Sequence, residues 1–528
     1  MAVTTTAIAE WTRILGPENA ILRADELAEA EATTFATSNR VACILRPLNR
    51  EQVVECVQVA RQFKSPLYPF SSGKNWGYGS RVPPAGGCAL LDLSRMNRIL
   101  EVNEELGFAT VEPGVTQAQL LRHLREKNLR LWIDATGSSP DCSLIGNAME
   151  RGFGHTPYAD HFANTCGLEV VTGTGDVIET GYAGLLGAKA AAVFRSGVGP
   201  TLDGLFSQSN FGIVTRMTVW LMPEPEYFQA FFFLAESEDS IGALVEAIRP
   251  LRLNGVLGSA VHIANDYRVL SGLQQFPAGA AKPLSPEELG ELRRNLKFGA
   301  WSGSGALYGT RGQVAEARRI MRKALAGKAS KLNFLDQRTM RMALRFAGPY
   351  RILTGLDLRR TLELARPVFD LMRGIPSRSA LRSAYWRKPG AAPADPDPDR
   401  DRCGLMWFAP IAPLTGSDAL AVSEISKRII LRHGFEPMIS MTAVTGRSLA
   451  CVISISYDRD VSGEDERALR CYSDLQLSMQ GSGYYPYRLG IQGMRLLERD
   501  PGTARALKSI KDALDPDGIL APGRYIPT

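Results

Sequence analysis

Pro69-Phe-Ser-Ser-Gly-Lys-Asn-Trp-Gly-Tyr-Gly79 follows a short apolar run and holds three glycines among small hydrogen-bonding residues. Glycine accepts φ > 0 and carries no Cβ, so a loop of this kind lets backbone N–H groups close around a pyrophosphate. It lacks the Gly-Lys-Ser/Thr of a Walker loop and the spacing of a GxGxxG strand-to-helix turn, and alone it reads equally well as a plain glycine-rich turn. A second stretch supports the first: Asp134-Ala-Thr-Gly-Ser-Ser-Pro-Asp-Cys-Ser-Leu-Ile-Gly-Asn-Ala-Met-Glu-Arg-Gly-Phe-Gly-His-Thr-Pro-Tyr-Ala-Asp-His161 is again rich in small polar residues. A large planar cofactor needs irregular, extended backbone along its edge, and runs of this length are otherwise uncommon in a core.

Around these loops, residues 40–225 alternate short apolar strands with helices. The period gives helices over 51–63 and 117–126 and strands over 66–69, 89–93, 108–111, 168–172 and 177–179, the last two joined by the turn Gly173-Thr-Gly-Asp176. After Pro223-Glu-Pro225 the composition shifts to longer helices, over 240–248, 285–296, 313–325 and 358–372, broken by strands at 227–233 and 405–409. The pattern is α+β. The shift after Pro225 predicts a domain boundary. The Pro/Asp-rich stretch 389–402 reads as an exposed loop, and the chain closes with turn chemistry at Asp515-Pro-Asp-Gly518 and Ala521-Pro-Gly-Arg524 after a helix over 503–514.

The 528 residues, 45% hydrophobic and 22% charged, suit a globular protein of at least two domains. The net charge of +6 is densest over 293–331 and 338–360. Without interleaved aromatics these stretches read as solvated helix faces and not as a nucleic-acid surface. Eight scattered cysteines with no CxxC pair argue against zinc and against a disulfide framework, and no metal site is expected. The N-terminus lacks a basic region followed by an apolar core, and no apolar run reaches 18 residues. A reducing, cytoplasmic setting without membrane contact is the expectation.

Seven motifs in order, Gly73-Lys-Asn-Trp-Gly-Tyr-Gly79, Val111-Glu-Pro-Gly-Val115, Gly146-Asn-Ala-Met-Glu-Arg-Gly152, Thr156-Pro-Tyr-Ala-Asp-His161, Gly204-Leu-Phe-Ser-Gln-Ser-Asn210, Gly212-Ile-Val-Thr215 and Ala521-Pro-Gly-Arg524, resemble the vanillyl-alcohol oxidase and p-cresol methylhydroxylase family of flavoproteins. The resemblance runs from about residue 40 to the C-terminus and is weakest over 226–400. It implies a two-domain fold, an FAD-binding domain over 1–225 to which a C-terminal segment, 481–528, returns, and a substrate or cap domain over 226–480 that covers the flavin; it also implies oxidation of a para-substituted phenol, with electrons passing to oxygen or to a cytochrome c. A homodimer or larger assembly is implied too. Cofactor contacts fall on Ser71, Ser72, Gly73, Lys74, Asn75, Gly77, Pro113, Gly137, Ser138, Cys142, Ser143, Gly146, Asn147, Gly152, Thr156, Gly212, Ile213 and Arg524.

The family's phenolate-holding tyrosines and arginine fall on Tyr78, Tyr487 and Arg488. The chemistry asks for such a set. A phenol of pKa about 10 is bound ionised at pH 7 only against about 4 kcal/mol, and charge-assisted hydrogen bonds contribute about 1.5–3 kcal/mol each. The ionised oxygen makes the benzylic carbon a hydride donor to flavin N5, and the quinone methide formed is hydrated or desaturated. The alternative for Tyr487 and Arg488 is an aromatic packed at the surface beside an arginine paired with a carboxylate. The family's assisting carboxylate aligns near Ser138, with Asp134 and Asp141 close by, so no base is assigned. His155 and His161, in glycine-rich turns, read as satisfying local backbone.

The resemblance also implies how the flavin is held. The residues that tether FAD through its 8α carbon in the family fall on Leu449, Ala450 and Pro437, none of which has a nucleophilic atom, so no 8α tether is expected. Cys142 stands where the related berberine-bridge enzymes attach flavin C6, leaving a thioether or an inert buried thiol as alternatives. Two other functions stay open: a 2-hydroxy-acid dehydrogenase on the same fold, with Arg488 clamping a carboxylate, and a non-catalytic flavin-binding subunit.

Overall fold

In the computed structural model, which describes residues 2–277, 279–280, 282–345 and 358–526, the strand that feeds the first glycine-rich loop sits at the edge of a small parallel sheet. Strands β2 (Val41–Leu45), β4 (Cys88–Asp92) and β3 (Leu67–Phe70) run parallel, with β1 (Ala20–Ile21) antiparallel to β2. The crossover helix Arg50–Gln62 is capped by Asn49, whose side chain accepts from Gln52 N. Its face Val53, Cys56, Val57 and Ala60 is buried together with Trp11 of the helix Thr5–Leu15, and the Trp11 indole donates to Cys56 O at 3.0 Å. The loop 71–80 leaves from the carboxyl end of β3, the place where open α/β sheets bind ligands. The expected strand 89–93 ends one residue early because the Asp92 carboxylate accepts from Ser94 N and turns the chain into a 3-10 turn.

A second, antiparallel sheet takes the order β5 (Ile99–Asn103), β6 (Phe108–Val111), β10 (Gly212–Trp220), β8 (Thr165–Thr172), β9 (Val177–Glu179), and a short pair joins β7 (Leu131–Trp132) to β11 (Met222–Pro223). The chain's end comes back to the first sheet. After the helix Pro501–Leu514, Leu67 N donates to Ile519 O and Ala521 N donates to Leu67 O, at 2.8 and 2.7 Å. The buried Lys511 ammonium fixes this return by donating to Asp515, Asn210 O and Leu520 O.

The remaining strands form one eight-stranded antiparallel sheet in the order β15 (Lys331–Leu335), β12 (Tyr227–Ala235), β14 (Trp301–Gly309), β13 (Val261–Asn265), β17 (Met438–Ala443), β18 (Ser448–Asp458), β16 (Cys403–Pro413), β19 (Pro486–Arg488). One face is apolar: Phe231, Phe233, Ile263, Ile439, Met441, Ile453 and Phe408 pack into the largest core, with residues of the helices Ser240–Leu253, Arg311–Leu325, Gly416–Arg432 and Glu464–Gly481. The alternation in Trp301-Ser-Gly-Ser-Gly305 is explained by register. Gly303 and Gly305 lie opposite Phe233 and Phe231, and a Cβ on either would stand 2.0 and 2.5 Å from the facing phenyl ring. On the other face, β13 and β17 bring together His262 and Thr442, hydrogen-bonded at 3.1 Å, with Ala264 opposite Ser440. Over β13 and β17 that face is small and polar, whereas over β12 and β14 Phe228, Ala230 and Ala306 pack there with Phe369 and Met372 in a separate apolar cluster. No helix among the described residues is long and apolar enough to cross a membrane, and all eight cysteines are free and buried.

The expected exposed loop over 389–402 is exposed only in its first half. Residues 389–395 face solvent, but the turn 396–401 folds onto the first glycine-rich loop: Lys74 Nζ donates to Asp397 at 2.8 Å and Ser80 Oγ to buried Asp399 at 2.8 Å. Alternating Pro and Asp blocks regular structure without blocking burial, because each buried carboxylate here meets a donor from 319 or more residues away. Of the helix expected over 358–372, Leu358–Leu371 is present, while residues 346–357 of the basic stretch 338–360 lie outside the described residues.

Burial raises the Asp399 carboxyl to about 7, with Ser80 opposing and Asp397 adding to the shift. An acid whose folded pKa exceeds its unfolded one stabilises the fold fully only at low pH, and that stability is lost as pH rises toward 7. Asp399→Asn keeps an acceptor for Ser80 and removes the charge. It is expected to be more stable than the parent at pH 8, by up to about 4 kcal/mol, and nearly equal to it at pH 4.5. Denaturation at the two pH values checks this, and an equal difference at both would show that Asp399 is already ionised in the fold.

Candidate functional site

The cleft between the two smaller sheets and the polar face of the large one is walled by the loop after β3, the run 136–150, the segment 206–214 and the C-terminal turn. Of the residues singled out from the sequence, Ser71, Ser72, Gly73, Lys74, Asn75, Tyr78, Pro113, Ser138, Cys142, Ser143, Gly146, Asn147, Gly212, Ile213, Arg488 and Arg524 line it. Five do not. Gly77 shapes the loop from behind at φ +77°, donating to Thr34 Oγ1, with a Cβ there 3.1 Å from the Trp407 ring. Gly137 faces Leu371 and Ala380, and Gly152 backs onto the Asn147 amide. Thr156 is fully buried and donates to Asp134 through its backbone and its hydroxyl. Tyr487 lines an adjoining cavity with Arg151 and Arg499, which shares Arg488 as a wall.

The cleft presents unmet donors. The backbone N–H groups of Ser72, Gly73, Lys74 and Asn75 have no acceptor among the described residues, so the loop forms a concave row of donors of the sort that binds phosphate. The indole N–H groups of Trp76 and Trp407 and the Arg488 Nε are buried without hydrogen-bond partners. Gly146 gives the opposite wall its closeness, since a Cβ there would stand 2.4 Å from Ser71 Oγ. At one end Tyr78 is buried, its ring 5.6 Å from Trp407 edge-on and 4.4 Å from the Arg488 guanidinium carbon. Burial raises the pKa of both Tyr78 and Tyr487, and Arg488 draws each partly back. Tyr487 stays beside this group because its carbonyl accepts from Gln208 Nε2 at 2.8 Å and its ring meets Phe153 at 5.9 Å.

Glu150 organises the arginines. Its carboxylate pairs with Arg524, accepts from Tyr525 OH at 2.8 Å and lies 3.5 Å from Arg488 Nε. Burial acts to raise its pKa, but Arg524 and Arg488 together hold it below the ordinary carboxylate value. Glu150 stands inside the quoted run Gly146–Gly152 without being singled out by it; its signal is the lone acid of that run, next to Arg151. Gln208, Ser209, Asn210 and Trp407 join the cleft without having been expected there, and Trp407 carries no local signal because β16 brings it in from 330 residues away in sequence.

Asp134 is saturated: it accepts from His155 N, Thr156 N and the Thr156 hydroxyl and bonds His161 Nε2 at 2.9 Å. His161 also bonds Asn147, and His155 meets Ala135 O. Asp141 pairs with Arg378 at 2.8 Å. Cys142 sits in the cleft wall with Sγ 2.9 Å from Ser138 Oγ, and burial raises its thiol pKa despite that contact.

Comparison with known proteins agrees with this geometry. Residues 41–181 match the FAD binding domain family. The chain is 43% identical to the 1'-carboxy-chondrochloren decarboxylase of Chondromyces crocatus over 98% of its length and 96% of that protein's. It is 32% identical to the 4-cresol dehydrogenase [hydroxylating] flavoprotein subunit of Pseudomonas putida, covering 98% and 94%. Among solved structures, p-cresol methylhydroxylase with substrate bound superposes at a TM-score of 0.88 and 30% identity (99% and 98% covered), and 4-ethylphenol oxidase from Gulosibacter chungangensis at 0.89 and 30% (99% and 97%).

FAD is the cofactor, and the residues present fit it: the free N–H row of Ser72–Asn75, in the cleft wall, suits the pyrophosphate. Gly146→Val narrows the cleft by the approach to Ser71, so the purified variant is expected to keep its far-ultraviolet circular dichroism but carry at least about tenfold less flavin by absorbance. Full flavin content would remove Gly146 from the cofactor wall. With the matched segment, two full-length relatives and two superposable structures in agreement, the chain belongs to the vanillyl-alcohol oxidase and p-cresol methylhydroxylase family and is an FAD-dependent oxidoreductase.

Proposed function

We propose that the chain oxidises para-substituted phenols, and the observation that carries this reading is the grouping of Tyr78, in the FAD cleft, and Tyr487, in the adjoining cavity, around Arg488, which walls both. The two hydroxyls donate to a phenolate oxygen and the guanidinium neutralises it, so the substrate is bound ionised. Arg488 is kept in place by Asn75 Oδ1 at 2.5 Å and by Glu150. FAD, when bound, supplies a two-electron acceptor for hydride. The benzylic C–H bond breaks with its electron pair leaving as hydride, and the phenolate becomes a quinone methide. A carboxylate clamp on Arg488 alone, as a 2-hydroxy-acid dehydrogenase would need, leaves the two tyrosines without a task.

On this reading residues 1–225 and 481–528 hold the dinucleotide and 226–480 cover the flavin ring; the joining of residues 519–521 to β3 supports that division. Raised by burial, the Cys142 thiol is a poor nucleophile, which supports FAD held without a thioether. An 8α tether is likewise not part of the proposal. As acceptor, the name of the Pseudomonas putida relative, a flavoprotein subunit, supports a protein partner, and that of the Gulosibacter oxidase supports oxygen.

The fate of the quinone methide has a second reading, favoured by Asp134 and by the 43% relative. Hydration calls for a base to take a proton from water. Asp134 has every near donor already and Asp141 is paired with Arg378. Loss of a carboxylate from the carbon next to the benzylic one needs no base: the C–C bond breaks, CO2 leaves, and the electron pair forms the side-chain double bond while the ring returns to phenolate. The relative from Chondromyces crocatus is named a decarboxylase.

Anaerobic mixing with 4-substituted phenols is expected to bleach the flavin, and Arg488→Ala is expected to lose on the order of 100-fold in kcat/KM by leaving the phenolate without its counter-charge. Near-parent turnover in that variant, or no bleaching by any 4-alkylphenol or 4-hydroxyphenyl acid, sinks the reading. Acid precipitation is expected to leave yellow supernatant, whereas a yellow pellet that becomes colourless in Cys142→Ala would establish a thioether.

A further inference from the structure

Buried arginines in this half of the molecule have partners, with one exception. Arg387 is bidentate to Glu436, Arg459 pairs with Asp465 and Arg293 with Asp266. Arg252 has no carboxylate but donates to the carbonyls of Leu257, Ser259 and Val444. Arg268, in the helix Asp266–Leu273, donates only to Ser383 Oγ, at 2.6 Å, and has no acidic partner among the described residues. Ser383 in turn donates to Ala380 O, so its hydroxyl is fixed as the acceptor.

A guanidinium has five N–H donors, and leaving a desolvated one with a single neutral acceptor costs free energy unless a ligand completes it. Arg268 keeps accessible surface and yet is desolvated enough for burial to lower its pKa. It is thus a desolvated guanidinium with donors left over, and its neighbours reach the cleft wall. Ser383 lies in the 3-10 turn Ser379–Tyr385, whose Leu381, Ala384 and Tyr385 cluster with Trp76, a residue of the cleft wall. Ala380 of the same turn stands 3.8 Å from where a Gly137 Cβ would be, between the cleft residues Thr136 and Ser138.

We propose that Arg268 anchors a carboxylate on the para side chain of the substrate, so that this enzyme acts on acidic phenols in which Arg488 holds one end and Arg268 the other. The inference rests on the phenol reading above. Arg268 is a specificity residue that binds substrate without taking part in hydride loss, and Ser383 is a positioning residue that aims it.

The test uses the flavin-loaded enzyme and two matched pairs of probes. 3-(4-Hydroxyphenyl)propanoate and 4-propylphenol report oxidation by anaerobic flavin bleaching. 4-Hydroxyphenoxyacetate and 4-propoxyphenol, whose ether oxygen replaces the benzylic carbon, report binding through the flavin spectrum. The parent is expected to prefer the acid of each pair at least about tenfold. In Arg268→Gln, Kd and KM for the acids rise on the order of 100-fold while the neutral phenols change less than about threefold, and Arg268→Lys recovers part of the loss. Equal losses on acid and neutral probes, or an acid preference that survives Arg268→Gln, overturns the anchor and leaves the phenol reading standing. Failure of every phenol to bleach the parent removes both.

Discussion

A single carboxylate, that of Glu150, carries the site. Three segments that meet nowhere else near it in sequence, the run 146–152, the strand β19 and the C-terminal turn, converge on its two oxygens through Arg488, Arg524 and Tyr525. Two guanidinium groups side by side in a cleft would repel each other and anything that brought them together would have to overcome that. With Glu150 between them the trio carries one net positive charge, its side chains only 11–15% exposed, and the geometry at Tyr78 and Asn75 follows from where Arg488 is held. Removing that acid would leave a partly buried pair of like charges, a far larger disturbance than the loss of one hydrogen bond.

The rigidity of the cleft has a second source in how the sheets are closed. The small parallel sheet would present β3 as a bare edge, and the return of residues 519–521 covers it. Because the return is fixed by the buried Lys511 ammonium and not by apolar packing alone, the position of Arg524 a few residues later is set to within the reach of a hydrogen bond. The large sheet reaches the same cleft from the other side. There β16 and β19 supply Trp407 and Arg488 to the wall, while the glycines of β14 make room for the phenyl rings of β12 in the core on the opposite face.

Much of this is legible in the amino-acid sequence. The cofactor loop, the strand that leads into it and the helices at 51 and 117 each have local chemistry that announces them: glycine at positive φ, an apolar period, an N-cap. The tyrosine–arginine pair near the C-terminus stands out only through the family resemblance. Glu150 and Trp407 announce nothing, since a lone acid in a polar loop and a tryptophan in a strand have ordinary local explanations, and their roles come from pairing across hundreds of residues. The stretch that departs from expectation is 389–402, where composition says exposed and half of it is buried. Proline and aspartate tell what a segment will not form, not where it will lie. Gly137, Gly152 and Thr156 show the converse, for motif residues can support a wall without facing the ligand.

The turn at Asp397 and Asp399 belongs by sequence to the run leading into β16, yet its ion pair and hydrogen bond are with Lys74, inside the cofactor loop, and Ser80, at its end. Any excursion that lets the loop open far enough to release a dinucleotide therefore also breaks contacts that anchor the large sheet. A cofactor that holds the loop closed therefore also holds contacts with a turn 319 or more residues away in sequence. Holoprotein should accordingly differ from apoprotein most in the persistence of the segment 396–401, a region that would look remote from the flavin to anyone reading only the linear chain.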